Sequence, residues 1–568
     1  MAKKRASKAK QPASAEETPR TIEAQPGDDL AAILRGLSPG DTLRLAPGTY
    51  GPELFDGIRG TKQQPITVLG PEDAVFDGGR RYEDVRTELN MMAYANEALR
   101  EAKGRAARDA GNPRAKIDYI PSLGTVGQRG HIRIRNCRHL RLMGFSIRGA
   151  WPTCIAIHQS QSITLAGLQM EEGTFAIHVE GDQTYGITVH RCSWTQDISL
   201  GEMWNAMGWK QIHGDDYYPG DHRGLDGDFF RSFGIMGKVT VRYCHVRHAF
   251  NAVHMFHGDD DGRSPIQNRD VRIHDNRFEF IRDNAIEAEK GCTNWWVYRN
   301  DMRNVHKWLA LEVNHSSHVY CFANTCWFDS VPSTGATGSS AYLHSGGGFF
   351  KTRKKWRHLK AHGPHYFFNN SAYIRTGYIK KGVLKDFHHF NNAIQCVEDP
   401  TRSGTDKQRP FFWQPGQAPT PFADMDRPPR TAGDEDTSTN FTRFWEENKI
   451  SFEADIIDHP DIPDEANRLG YAMKKTVAKA PGFNDPQSGD LTLMKTAAAG
   501  KMKRKLRPIV LEVIDSRAPF ELEAPIAAGA WQGEDRIRLG ITPPGFDTDP
   551  EWQAEVAELD AILGTPIV

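Results

Sequence analysis

Residues 272–300, RIHDNRFEFIRDNAIEAEKGCTNWWVYRN, carry two interleaved repeats, and the first of them is a corner. Asn276 in RIHDNRF is followed by Asn300 in VYRNDM, Asn324 in CFANTC, Asn370 in YFFNNSA and Asn392 in HFNNAI, at intervals of 24, 24, 46 and 22, where 46 is two periods of 23. Upstream, Phe145, Leu168 and Cys192 take the corresponding place at intervals of 23 and 24. A period in the twenties, with alternating hydrophobicity and β-branched or aromatic residues, predicts a stacked parallel β coil. An inward Asn at each corner would bond the backbone of the coils above and below. Leucine-rich repeats have a similar period, but their L-x-x-L-x-L-x-x-N/C-x-L phrase is absent.

The second repeat is Ala285-Ile286-Glu287-Ala288-Glu289, with further copies at Ala156–Ser160, Ala176–Glu180, Ala252–Phe256 and Ala310–Asn314. On a strand, alternate side chains face opposite ways, so Ile157, Ile177, Val253, Ile286 and Leu311 are expected inward. His158, His178, His254, Glu287 and Glu312 are then outward, on rungs about 4.8 Å apart if the strands stack in order. The two excursions from the coil, 199–233 and 257–269, overhang this wall.

Around these repeats the chain divides as follows. Residues 1–20, rich in Lys, Ala, Pro and Glu, read as a disordered tail. Residues 21–398 read as the solenoid, opened by a short capping helix in DDLAAILRG and interrupted by a helical insertion at about 82–110. Residues 399–480 read as an irregular layer packed on its side, and 481–568 as a returning strand and closing helix. The chain has 71 basic and 72 acidic residues, a formal net charge of −1, so no global field draws it to nucleic acid or an anionic membrane. No apolar run approaches the roughly 20 residues of a membrane span, and no export-type apolar core opens the chain, which by default implies a cytoplasmic protein. The eight cysteines show no C-x-x-C pair or zinc-finger spacing. Cys192 and Cys244 occupy the same place in VHRCSW and VRYCHV, and are expected as buried neighbours packed as thiols.

The opening PGDTLRLAPGTYGPELF…GTKQQPITVLGPEDAVFDGG, together with the Asn corners, resembles the pectin-lyase-like right-handed parallel β-helix superfamily. The opening is most similar to the chondroitinase B and alginate lyase family of polysaccharide lyases. The resemblance covers roughly residues 22–80 and 130–398. It implies an all-β, single-stranded right-handed parallel β-helix and a polysaccharide lyase that binds Ca²⁺. In that family a Glu-x-Glu pair and an Asn from a neighbouring coil hold the calcium that neutralises the substrate uronate. Glu287-Ala288-Glu289 matches the pair, and Asn314 or Asn251 would supply the Asn. Where the family's catalytic Lys would follow, this chain has Asn294, and the nearest Lys is Lys290.

β-Elimination at a uronate needs neutralisation of the C6 carboxylate, a base for the C5 proton and a proton for the leaving O4. The metal candidates are Glu287, Glu289, Glu312 and Asn314, whose hard oxygen donors favour Ca²⁺. Without an ion, the glutamates would instead pair with Lys290, Lys307 or Arg282. Acid or base candidates are Lys290, His254, His257 and His315. Substrate candidates are His178, Trp204, Trp308, Asp226, Asp228 and Asp259, with Lys354 and Arg357 of the run KTRKKWRHLK clamping a polyanion. The alternatives are a glycoside hydrolase using the loop aspartates Asp215, Asp216, Asp226, Asp228 and Asp259–Asp261, and a non-catalytic glycan binder. P-loops, dinucleotide fingerprints and nucleophile elbows are absent. The expected partner is an acidic polysaccharide.

Overall fold

The computed structural model describes residues 18–94, 124–200, 222–258, 266–328, 350–352 and 361–398 apart from 376 and 381–383. Further on it describes 411–413, 449–463, 473–502, 505–514, 519–523, 527–532, 537–538 and 550–564, together with Ile212, Ser264 and Pro525. Within them the chain winds as a right-handed parallel β-helix of three faces, the hand being that of nearly all parallel crossovers. The front face stacks Glu53–Asp56, Gly130–Arg135, Thr153–His158, Phe175–Glu180, Asp228–Phe233 and Asn251–Phe256. It continues through the first parts of Asn284–Tyr298 and Lys307–Phe322, then Phe350–Thr352, Ile379–Lys380 and Phe412–Trp413. The second face runs from Thr21–Ala24 to Ile450–Glu453, and the third from Gly48–Tyr50 to Val477–Ala478. Parallel strands therefore continue past residue 398, into the stretch read from sequence as an irregular layer.

The interior is apolar, and one side chain per coil explains its exception. Each corner Asn is buried. Asn276 donates its amide to Asn300 Oδ1 at 2.9 Å, Asn300 to Asn324 at 3.0 Å, Asn324 to Asn370 at 3.0 Å and Asn370 to Asn392 at 3.0 Å. Each also donates to a backbone carbonyl of the preceding coil, as Asn324 does to Val297 at 3.0 Å. The thread ends on buried Asp455, which accepts from the Asn392 side chain at 3.0 Å and from His389 at 2.8 Å. Cys192 and Cys244 lie upstream in the same column, buried and free, with the Cys244 thiol donating to Arg242 O at 3.2 Å.

At the N-terminal end the helix Leu30–Arg35 buries Leu30 and Leu34 against the core, and the Asp29 carboxylate caps it by accepting from Ala32 N at 2.8 Å. A second helix, Tyr82–Tyr94, packs outside the coils, with Tyr82, Val85 and Leu89 against Trp151, Leu225 and Phe250; the rest of the expected insertion lies outside the described residues. The final helix, Pro550–Leu563, does not close the C-terminal end as its place in the sequence suggests. It lies on the second face of the early coils, with Leu559 on Met143 and Ala166, Glu558 paired with Arg141 at 2.6 Å and Asp560 with His190 at 2.9 Å. Among the described residues no helix is long and apolar enough to cross a membrane.

Candidate functional site

The front-face register places the outward side chains in two rows. One row runs Arg133, Ala156, His178, Arg231, His254, Glu287, Ala310, Lys351. The other, two residues further along each strand, runs Arg135, His158, Glu180, Phe233, Phe256, Glu289, Glu312. The five sequence copies therefore do not share one row: His158 and Glu312 are slipped by two residues relative to His178, His254 and Glu287. Because side chains alternate with period two, the slip keeps all five outward. A further strand, Asp228–Phe233, separates the second copy from the third, so the first excursion ends earlier than residue 233. Its alternation, Phe230 in and Arg231 out, is the signal that marks it.

The rows converge on a charged cluster. His254 is buried, with Nδ1 3.3 Å from Asp228 Oδ1 and Nε2 3.3 Å from Glu287 Oε2. Its ring packs on Phe256 at 4.0 Å. Asp228 is held in turn by Arg231 at 3.3 Å, whose guanidinium lies over the Phe175 and Phe256 rings at 4.9 and 4.5 Å. Glu287 is buried, and its Oε2 accepts from the Asn284 amide at 2.7 Å. Lys351 Nζ lies 3.6 Å from Glu287 Oε1 and 3.3 Å from Glu312 Oε1, bridging neighbouring strands.

Burial pushes the Glu287 carboxyl up to about 7, with Glu289 and Asp283 acting in the same direction, although His254 and Lys351 favour its anion. For His254 burial alone would lower the pKa, but Glu287, Asp228 and Glu289 outweigh it and hold the imidazole at about 9. Lys351 is half-buried; desolvation alone would lower its pKa, but Glu312 and Glu287 outweigh it and keep the ammonium charged well above the ordinary lysine range. Between about 7 and about 9 the site thus holds imidazolium, ammonium and an ionised Glu287; below about 7, Glu287 takes a proton.

The other sequence candidates divide. Glu289 and Glu312 sit beside the cluster, with Glu289 offering a ligand atom near those of His254 and Glu287. Asp228 joins it from a strand rather than a loop. Asn314 falls in the bulge where Lys290 pairs with Val313 and Gly291 with His315, which takes it out of the Glu289–Glu312 row. Asn251 instead accepts the Asn284 backbone amide at 2.8 Å. Lys290 stands at that bulge with φ +70, and His315 lies just past it; the lysine between the carboxylates is Lys351. His257 is buried and tethers its excursion, Nε2 donating to Ser264 O at 3.1 Å. Asp226 pairs with buried Arg223 at 2.7 Å, which itself donates to Ile212 O at 2.7 Å, so it braces the first excursion. Trp308 faces inward, fully buried and edge-on to Phe367 at 6.0 Å, so it is core rather than a sugar platform. His178 is buried beneath Gly127, where a Cβ would sit 2.4 Å from its ring, and pairs with Glu180 at 3.3 Å. Trp204, Asp215, Asp216, Asp259, Asp260, Asp261, Lys354 and Arg357 lie outside the described residues.

Sequence reasoning passed over Arg231 and Asn284, and took Lys351 only as the start of the basic run KTRKKWRHLK rather than as a partner of Glu287 and Glu312. Lys351 follows inward Phe350 as Ala310 follows Leu309, but residues 329–349 intervene and break the period.

No family model and no curated protein matches the sequence. Among solved structures, the chain is similar to an endo-xylogalacturonan hydrolase from Aspergillus tubingensis, at 10% identity over 69% of this chain and 92% of that one, with a TM-score of 0.36. It is similar to pectate lyase Pel9A at 10% identity, covering 91% and 97% of the two chains with a TM-score of 0.35. An alginate lyase from Paenibacillus sp. matches at 11% identity over 61% and 98%, with a TM-score of 0.24. The likeness is one of fold. The front-face cluster has to be read from its own chemistry.

Proposed function

We propose that this is a carbohydrate-active β-helix enzyme that cleaves an acidic, uronate-containing polysaccharide laid along the front face. The observation that carries the reading is Glu287, a buried carboxyl whose proton is exchangeable near neutrality, held between His254 at 3.3 Å and Lys351 at 3.6 Å. In β-elimination, ionised Glu287 would take the C5 proton, the C4–C5 double bond would form as the C4–O4 bond breaks, the His254 imidazolium would give its proton to the leaving O4, and the Lys351 ammonium would stabilise charge building on the uronate. A second reading, glycoside hydrolysis, is favoured by the same carboxyl in its protonated form beside other carboxylates, the pairing that acid catalysis of that bond requires. The carboxylates concerned are those of the strands rather than of the loops.

Calcium fits this cluster poorly. Ligand atoms of His254, Glu287 and Glu289 lie within 4.8 Å of one another, but one is an imidazole nitrogen, whereas Ca²⁺ takes six to eight oxygens. Lys351 also occupies the place between Glu287 and Glu312 where a bridging cation would sit. The residues do not fit calcium, and activity is expected to survive a chelator.

Incubating the protein with alginate, pectate and glycosaminoglycans, with and without chelator, tests both readings. A new ultraviolet absorbance from an unsaturated sugar supports elimination; new reducing ends without it support hydrolysis. No cleavage of any acidic chain would leave a binder, and loss of activity on chelation would overturn the metal-free site.

A further inference from the structure

Four to five rungs before Glu287, on the same face, lies a cavity of about 270 Å³ with Arg133, Arg135, Gln128, His158 and Glu180 around a floor at Ala156. It exists because the row that bears His178, Arg231 and His254 has only a methyl group at Ala156, between Arg133 and His178. Pockets for drug-sized ligands run roughly 300–1,000 Å³, so this one has room for a single sugar rather than a chain segment.

We propose that this cavity is a distal subsite for an anionic sugar unit, one bearing a carboxylate or a sulfate, on the chain whose cleavage is assigned to the Glu287 cluster. The proposal rests on that reading of the front face for its direction and on the cavity for its chemistry. Arg133 is exposed and, among the described residues, has no ion-pair or hydrogen-bond partner. Arg135 is anchored by Asp56 at 2.6 Å and keeps further guanidinium donors. The one acidic wall is already engaged: Glu180 accepts from Gln128 at 3.3 Å and lies 3.3 Å from His178 and 3.9 Å from His158. Burial acts to raise the Glu180 pKa, but those partners more than offset it and keep the group ionised. A guanidinium with no partner among the described residues, beside a one-sugar cavity, can receive two oxygens of a carboxylate or a sulfate at once. Between cavity and cluster, Phe233 stands 44% exposed in the row linking Glu180 to Glu289, an apolar step on which a sugar ring can lie. Four to five rungs correspond to about 19–24 Å, so only a chain reaches both places.

The test measures binding, not turnover. In a full-length Glu287→Gln background, Arg133→Ala and the Arg133→Ala/Arg135→Ala double variant are titrated with alginate, pectate, dextran sulfate and plain dextran. Each guanidinium lost is expected to weaken binding of acidic chains about tenfold. Short acidic oligosaccharides that cannot span the two places should be little affected, and Arg133→Lys should recover part of the loss. Loss on alginate and pectate alone assigns the subsite to carboxylates, and loss on dextran sulfate alone assigns it to sulfates. Unchanged affinity for every acidic chain, or an equal loss on plain dextran, overturns the proposal. Binding is read whether or not the wild-type protein cleaves anything, so failure of the cleavage reading would be seen separately.

Discussion

Glu287→Gln is expected to lower cleavage of an acidic polysaccharide by about 10²–10⁴-fold, the usual contribution of a positioned proton-transfer group. Glutamine keeps the shape and can still accept from Asn284, so circular dichroism and the melting transition should show a folded protein. The pH profile of the unaltered protein then separates the two reactions. If Glu287 acts as the base of an elimination, the rate rises as pH passes about 7 and falls as His254 loses its proton near about 9. If it acts as the acid of a hydrolysis, the rate declines as pH rises through about 7. A rate indifferent to pH across that span, or a Glu287→Gln protein as active as the original, would sink the assignment. Stability follows its own rule. His254 has a folded-state pKa above its unfolded value, so its contribution is full below about 6.5 and is lost as pH rises through about 9. Glu287 is raised too, and its buried carboxyl disfavours the folded state increasingly between about 4.5 and about 7.

Asn324→Ala is expected to destabilise the protein by about 3–5 kcal/mol, read as a shift of the denaturant midpoint. The side chain donates to Val297 O, Phe322 O and Asn370 Oδ1 at 3.0 Å each and accepts from the Asn300 backbone at 3.1 Å and side chain at 3.0 Å. Alanine strips the buried Asn300 backbone N–H of its acceptor and removes a donor from Val297 O, whereas Phe322 O keeps the Arg299 N–H and Asn370 Oδ1 the residue-324 backbone N–H; each buried group left unpaired costs about 1–3 kcal/mol before neighbouring coils relax. Because stability in a solenoid is largely a sum of nearest-neighbour terms, the damage should centre on the adjacent coils and appear there first in hydrogen exchange. A midpoint unchanged from the parent would show that the corner amides contribute nothing net.

The coil was legible because its cause is local. An Asn that must bond the coils on either side recurs at the period of the coil, and every predicted member, from Asn276 to Asn392, lies in one column; Phe145, Leu168 and Cys192 precede them in register. Outwardness of the His and Glu series was legible for a similar reason, since any even slip preserves the face. What the phrase could not fix was which side chains meet. His254 and Glu287 are neighbours because their strands are adjacent, whereas His158 and Glu312 stand in the other row. Lys351 reached the cluster across an insertion that destroys periodicity, and Arg231 across an excursion that hides its strand. Trp308 illustrates the opposite error. Its neighbours Lys307 and Leu309 are buried as well, so polarity around it in the sequence says little about which way the ring points.

The amide thread along the interior also has a direction. Each corner amide donates a hydrogen bond to the oxygen of the next coil, and the series ends on Asp455, which accepts from Asn392 and has no amide to donate in turn. A further coil carrying an Asn at that corner would bring an acceptor oxygen against an acceptor. The thread, rather than the solenoid, therefore carries its own full stop: one carboxyl in place of one amide ends the series, while a last strand, Val477–Ala478, still stacks beyond it.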